Sequence, residues 1–305
     1  DYLTFNVAQT LNEGAATGNG LESSVLRLGW EKRTVAGVGY DLSITRVGQG
    51  YNPAVGFVHR TGFLRMGDRL FYGWISDEES PISRQMFSTD AAVFLSTVDG
   101  TLESYDVGAE WTLETKAGAE LRLMGSRFFD RPTMAFQLSP NVEVPAGNYR
   151  FHQVSANYRW PWGGLLRGQI NANAGSFYDG SRVSFSVRPT GHLSEHLEVG
   201  SEYEVNRIEF RERSQMLWAH IGRIRARAML STELTGESFV QYSSSLSGVI
   251  ANIRIRFNPR EGNDFYLVYN HRVNTDRGRL NPMLPFTESR TVLLKYSHTF
   301  SARLW

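Results

Sequence analysis

The chain has no cysteine among its 305 residues. Disulfides, thiolate metal sites and cysteine nucleophiles are therefore excluded. It also lacks a long apolar run: the longest, Ala91 to Leu95 and Phe265 to Tyr269, reach five residues. A membrane-spanning helix needs about 20 such residues, so helical spanning is excluded. Charge of one sign is scarce, since 32 basic residues face 31 acidic ones. A nucleic-acid partner calls for a basic excess, and none is expected here. The chain begins at Asp1 with no initiator Met and no signal-like apolar segment. That start implies a removed targeting segment or a longer parent polypeptide. No stretch has the period of an amphipathic helix.

What the chain does have is aromatic side chains and a period of two. It holds 13 Tyr, 18 Phe and 7 Trp, although only 41% of its residues are hydrophobic. Leu26, Leu28 and Trp30 share one face, with Arg27 on the other. Tyr105, Val107, Ala109, Trp111 and Leu113 alternate with Asp106, Gly108, Glu110 and Glu114. Val183, Phe185 and Val187 oppose Arg182, Ser184, Ser186 and Arg188, and Ile253, Ile255 and Phe257 oppose Arg254 and Arg256. Val292, Leu294 and Tyr296 oppose Lys295. Successive side chains of a strand point to opposite faces, so each stretch reads as a strand. Turn signals separate them at 98–101, 115–118, 161–164, 235–237 and 259–263, and longer polar connections occupy 131–147 and 274–288.

Two all-β architectures share this pattern. A soluble sandwich or propeller uses strands of about 5–6 residues and buries their apolar faces. A transmembrane barrel uses strands of about 9–11 residues, turns the apolar face to lipid and keeps a polar interior. The long strands here, ending often in Tyr or Trp, fit the barrel and its aromatic girdles. The expectation is one all-β domain over residues 1–305, a transmembrane antiparallel up-and-down β-barrel of about 16–18 strands. The working count is about 17. Bacterial single-chain barrels have even numbers, so one strand is miscounted or strands precede Asp1. Counted back in pairs from Phe300, the loops 131–147 and 274–288 share the extracellular side. The short turns at 115–118, 161–164, 235–237 and 259–263 then take the periplasmic side, and the first strand starts outside.

Five segments in order, "YNPAVGFVHRTGFLR" (51–65), "PAGNYRF" (145–151), "GSFYDGSR" (175–182), "QYSSSLSGVIANIRIRF" (241–257) and "LLKYSHTF" (293–300), carry a family resemblance. Together they resemble the C-terminal outer-membrane barrel region of a bacterial family of unknown function. In that family, a module similar to family 9 carbohydrate-binding modules precedes the barrel. The resemblance covers nearly the whole chain but begins after that module and the first barrel segment. It implies a fold and an outer-membrane location, with no activity and no catalytic residues.

Two motifs invite chemistry. "HLSEH" (His192 to His196) matches the H-x-x-E-H pattern of a zinc protease group. That chemistry needs both histidines on one helical face. Here the motif follows Pro189-Thr190-Gly191 and enters a strand, which predicts a solvated periplasmic turn. "GQGYNPAVG" (48–56) fits no phosphate-binding glycine pattern and precedes no helix, so a tight periplasmic turn is expected. No cofactor or metal site is expected.

The charged faces remain. "HIGRIRARAML" (220–230) places Arg223, Arg225 and Arg227 on one face, and the preceding strand places Glu198, Glu202 and Glu204 on one face. Arg or Lys turned to lipid at mid-membrane costs about 2–4 kcal/mol, so these faces look inward. Pairing centred between Arg213 and Ser214 sets Glu204 opposite Arg223, Glu202 opposite Arg225 and Gly200 opposite Arg227. The basic lumen candidates are Arg27, Arg122, Arg167, Arg182, Arg188, Arg223, Arg225, Arg227, Arg254, Arg256 and Lys295. The acidic ones are Asp106, Glu110, Glu114, Glu198, Glu202 and Glu204. Outer-membrane lipid is then the first partner. The expected function is a channel for small polar solutes, with a slight lean towards anions and no enzymatic role. The alternatives are a structural anchor or platform for a periplasmic or surface protein and, third, a membrane-embedded hydrolase.

Overall fold

The structure, a computed structural model, describes residues 1–11, 20–53, 56, 58–161 and 163–300. It begins with β1 (Tyr2–Gln9), β2 (Ser24–Lys32), β3 (Gly37–Val47), β4 (Phe63–Ile75), β5 (Ile82–Ser96), β6 (Leu102–Thr115) and β7 (Glu120–Asp130). A small hairpin, β8 (Phe136–Ser139) and β9 (Val142–Val144), intervenes. The chain continues with β10 (Tyr149–Arg159), β11 (Leu166–Phe177), β12 (Gly180–Ser194), β13 (Leu197–Phe210) and β14 (Gln215–Met229). It ends with β15 (Leu234–Ser243), β16 (Gly248–Arg260), β17 (Asn263–Asn274) and β18 (Thr287–His298). All strands except the small hairpin form one 16-stranded antiparallel sheet in which each strand pairs with the next. No α-helix occurs among the described residues.

An even total replaces the working count of about 17. With alternating strands, it brings the start of β1 and the end of β18 to the same edge of the sheet, correcting the expected outside start. Connections at 131–148 and 275–286 fall at one edge, as their spacing predicts. Three turns are corrected. Residues 235–237 lie within β15, and the reversal sits at 230–233 instead. The 259–263 turn shrinks to 261–262, because β16 and β17 extend into it. The chain does turn at 48–51, where Tyr51 N–H donates to the Gly48 carbonyl at 3.3 Å. That turn opens the connection 48–62, however, at the edge of the long loops and not of the short turns. Within the motif, 54 and 55 lie outside the described residues, as does 162 of the 161–164 turn.

Registers fix the faces. From β1 to β4, Phe5, Leu28, Ile44 and Met66 form one apolar row, and Arg27, Thr45 and Arg65 one polar row. Trp30, Tyr72, Phe87 and Trp111 lie on the apolar face. Asp68 interrupts that face, level with Leu42 and Ala91. From β14 to β18, Ile224 and Val240 share a row, as do Ile255, Leu267 and Leu294, while Arg223, Arg225, Arg227, Arg254 and Arg256 take the other face and Arg290 stays in the row of Ile224. The contacts divide into two compact units. One is Asp1–Asn157, Asn173–Arg182 and Glu209–Gln215, and the other Tyr158–Ala172, Val183–Ile208 and Met216–Trp305.

The apolar face is largely exposed, and apart from Phe129 the buried apolar side chains lie elsewhere. In the first unit, the 131–148 connection folds back over the ends of β7 and β10–β13 and seals an aromatic cluster. Val144 is 0% exposed, Phe210 1% and Val142 2%. Phe151 stacks on Phe128 at 5.0 Å, and Phe177 meets Phe210 at 6.4 Å. Gly180 is required beside this cluster, because a Cβ there would lie 2.3 Å from the Glu209 carbonyl oxygen. The hairpin β8–β9 is thus held by burial in a chain that otherwise buries little apolar surface. Phe210→Ala is expected to destabilise the folded chain by about 3–5 kcal/mol, the range for a fully buried aromatic. Urea unfolding of the refolded protein measures it, and a loss below about 1 kcal/mol would remove the cluster as a core.

Candidate functional site

The charged residues are concentrated on one face within each unit. In the first, Arg27 sits opposite Asn6 and Thr45. Two strands further on, Arg69 opposes Asp41 and Asp90. It reaches Asp90 at 3.4 Å and Glu110 at 3.8 Å. Glu110 also accepts from the Thr112 hydroxyl at 3.0 Å. Asp106 opposes Ala92 and Phe128, Glu114 pairs with Arg84, and Arg122 reaches Glu120 at 2.6 Å along its own strand. Arg65 lies over Gly67, where a Cβ would come within 2.5 Å of its guanidinium. A cavity of about 360 Å³ opens on this face, and its wall includes Arg27, Asp41, Arg65, Arg69, Asp90 and Asp106. Its chemistry is mixed, with cations and carboxylates interleaved.

In the second unit, the mixture becomes a ladder dominated by arginine. Glu198 holds Arg167 at 2.6 Å and His192 at 3.3 Å. Glu202 is shared by Arg188 and Arg223, each at 2.7 Å. Glu237 is shared by Arg227 at 3.2 Å and Arg254 at 2.5 Å. Arg256 takes Asp264 at 2.6 Å, and Lys295 lies 6.0 Å from the Tyr266 ring centre. Glu204 accepts from the Asn206 amide at 2.8 Å. Arg182, in the first unit, lies 5.8 Å from the Phe177 ring centre.

The expected glutamate–arginine pairing is corrected by one step of the ladder. Arg223 meets Glu202, not Glu204, and Met229 N–H donates to the His196 carbonyl at 2.8 Å. The physical reason lies in the reversal. A 3-10 turn over Arg211–Arg213 and a left-handed Ser214 (φ 52°) join Phe210 directly to Gln215. The centre therefore falls between Glu212 and Arg213, and Gly200 stands across from Arg225. The side chains stay on their expected face, since the shift is an even one.

Sequence reading missed Arg65, Arg69, Asp90, Glu237 and Asp264. Arg65 and Arg69 have the same spacing as Arg223 and Arg227, so their shared face was legible. Glu237 was hidden by its assignment to a turn. "HLSEH" spans the end of β12 and the turn into β13, so its histidines share no helical face. Among the described residues, no group of three His, Asp or Glu is placed to hold a metal. Compared with known proteins, the chain matches no family model and no curated protein.

The polar anchoring of the β8–β9 hairpin adjoins the charged face of the first unit. Arg213 donates to the Glu143 carbonyl, pairs with Asp179 at 2.7 Å and covers the Phe210 ring at 4.1 Å. Tyr178, in the turn between β11 and β12, is left-handed (φ 52°), an unfavourable backbone state for a bulky residue. Its ring is held by Tyr149 at 5.1 Å and Phe177 at 4.8 Å, and its hydroxyl donates to Asp130 at 2.9 Å. Burial and then the Asp130 contact push its phenol above the ordinary value. A raised folded pKa contributes stability that is full below the unfolded value, about 10, and is lost as pH rises above it. Stability should therefore fall more steeply above about pH 10 in the parent than in Tyr178→Phe. Denaturant titrations at pH 9 and at higher alkaline values measure the difference; equal slopes would count against the coupling.

Proposed function

We propose that this sheet closes into a transmembrane barrel of a Gram-negative outer membrane and serves as a channel for small polar solutes. The observation that carries the reading is which face is exposed. Leu294 is 75% exposed, Val292 66% and Ile224 56%, all large apolar side chains in regular strands. A soluble sandwich buries such rows, and an extended apolar surface in water marks an interface. Lipid is the solvent that suits a whole face of this kind, with Trp30, Tyr72 and Trp111 at its margins. β4–β6 and β12–β14 run 13–15 residues, long enough to cross a bilayer at a tilt. Closure is what lipid demands of such a sheet, since an open edge leaves backbone groups unsatisfied. A barrel of 16 strands is wide enough for a water-filled interior. The family resemblance supports the same location.

Asp68 and Arg127, in one row through Ala91 and Val107, and Arg290, in the row of Ile224 and Val240, are charged exceptions on the apolar face. At mid-membrane a carboxyl costs less than an arginine. The β8–β9 hairpin favours a second reading. It covers part of the polar face in the first unit, and a filled interior would suit an anchor or platform for a periplasmic or surface protein.

Planar-bilayer recording on the purified chain separates the two: steady unitary conductance is expected of the channel, and silence of the anchor. The faces can be tested independently, because the chain has no native cysteine to interfere. After reconstitution into vesicles, Arg254→Cys should react with a water-soluble maleimide. Ile253→Cys should be at least about tenfold slower, since it faces lipid in this reading. Equal rates would reject the membrane assignment.

A further inference from the structure

Arg225 differs from the other arginines of its ladder. Its neighbour on β15 is Phe239, whose ring centre lies 5.8 Å from its guanidinium. Its neighbour on β13 is Gly200, which has no side chain to offer. Above and below stand Arg223 and Arg227, both committed to carboxylates. Among the described residues, Arg225 has no carboxylate within 4.0 Å, whereas Arg223 and Arg227 each have one. The gap over Gly200 opens beside the Thr190 hydroxyl, which a Cβ at that glycine would approach to 3.2 Å.

This gap belongs to a cavity of about 210 Å³ whose wall includes Arg188, Thr190, Gly200, Arg223, Arg225 and Phe239. A water has a share of about 30 Å³ in the liquid, so a small organic acid has room. Glu198 and Glu202 also reach the wall, but neither supplies free negative charge. Glu202 is divided between two arginines, and Glu198 is engaged by Arg167. Arg188, Arg223 and Arg225 therefore surround the cavity with more positive charge than Glu202 cancels. A guanidinium presents paired N–H donors that match carboxylate or phosphate oxygens two at a time. The Phe239 ring holds that fork in place from behind.

We propose that the polar face at Arg225 is a binding site for small oxyanions, recognised through a carboxylate or phosphate group. As the class of solute carried, this rests on the channel reading; as a binding site, it stands on these side chains alone. Inorganic phosphate serves as the probe, titrated calorimetrically into the detergent-solubilised full chain at low salt. Arg225→Gln should weaken binding about tenfold or more, the effect of losing one charge-assisted contact. Arg225→Lys should fall between the two, retaining charge without the fork. Glu202→Gln should bind phosphate more tightly than the parent, because it frees Arg188 and Arg223. Binding that ignores both Arg225 variants overturns the site, as does the absence of binding to the parent. Parallel bilayer recording keeps the two readings distinct. In a conducting chain, phosphate should reduce the chloride current, and Arg225→Gln should abolish that effect. Conductance with no Arg225-dependent block overturns the site and leaves the channel. Arg225-dependent binding without conductance leaves the site and overturns the channel.

Discussion

The backbone ladder between neighbouring antiparallel strands is the constraint on which the other features depend. It makes directly opposed residues share a face, so one register decides the environment of every side chain along two strands. The rows Phe5–Leu28–Ile44–Met66 and Arg27–Thr45–Arg65 are two readouts of the same registers. Neither row could be altered alone. Hydrophobic burial, which organises most folds, acts here mainly under the β8–β9 hairpin. The rest of the sheet is held by hydrogen bonds and by charged partners across them.

Those partners explain how a face crowded with arginine is tolerated. In the arginine ladder of the second unit, carboxylates are shared, so that Glu202 and Glu237 each serve two guanidiniums. Each exposed contact contributes little, roughly 0.2–1 kcal/mol for a cross-strand pair. Their joint effect is geometric: they hold long side chains upright along the face. Sharing also leaves a surplus of positive charge, and the surplus is largest where Gly200 replaces a side chain.

Much of this was legible in the sequence, because the ladder's period is two and so is the pattern of residues. Leu26 to Trp30, Tyr105 to Leu113 and Ile253 to Phe257 each declare a strand and both its faces. The hairpin of β13 and β14 was readable to the right loop and the right face. Its register was not, since that depends on how Ser214 and the turn before it bend, and turn geometry leaves little trace in composition. "TGE" at 235–237 misled for a related reason: glycine and charge signal a turn in water, yet also fit a polar strand face. The aromatic cluster escaped detection because Val142, Val144 and Phe210 come from segments far apart in the chain. Only the folding back of a long connection brings them together. Arg225 was placed on the correct face, but its lack of a carboxylate depended on the register.

The interruptions of the ladder have a consequence for how such a sequence can change length. In the pairings from β1 to β7 and from β14 to β18, the irregular steps lie near strand ends: at Ile82/Arg84, Phe94/Leu95, Phe257/Arg260 and Arg272/Val273. The middles are uninterrupted in the pairings from β1 to β7 and from β14 to β18. Removing one residue from the middle of β14 would exchange its two faces up to the next turn, bringing Ile224 to the charged face and its arginines to the apolar one. Removing two would restore the faces and only slide one strand along its neighbour. Insertions and deletions within the strands should therefore accumulate in pairs, and unpaired ones should be confined to the rims and connections. The strands can drift in length, but only in steps that return each side chain to the face it started on.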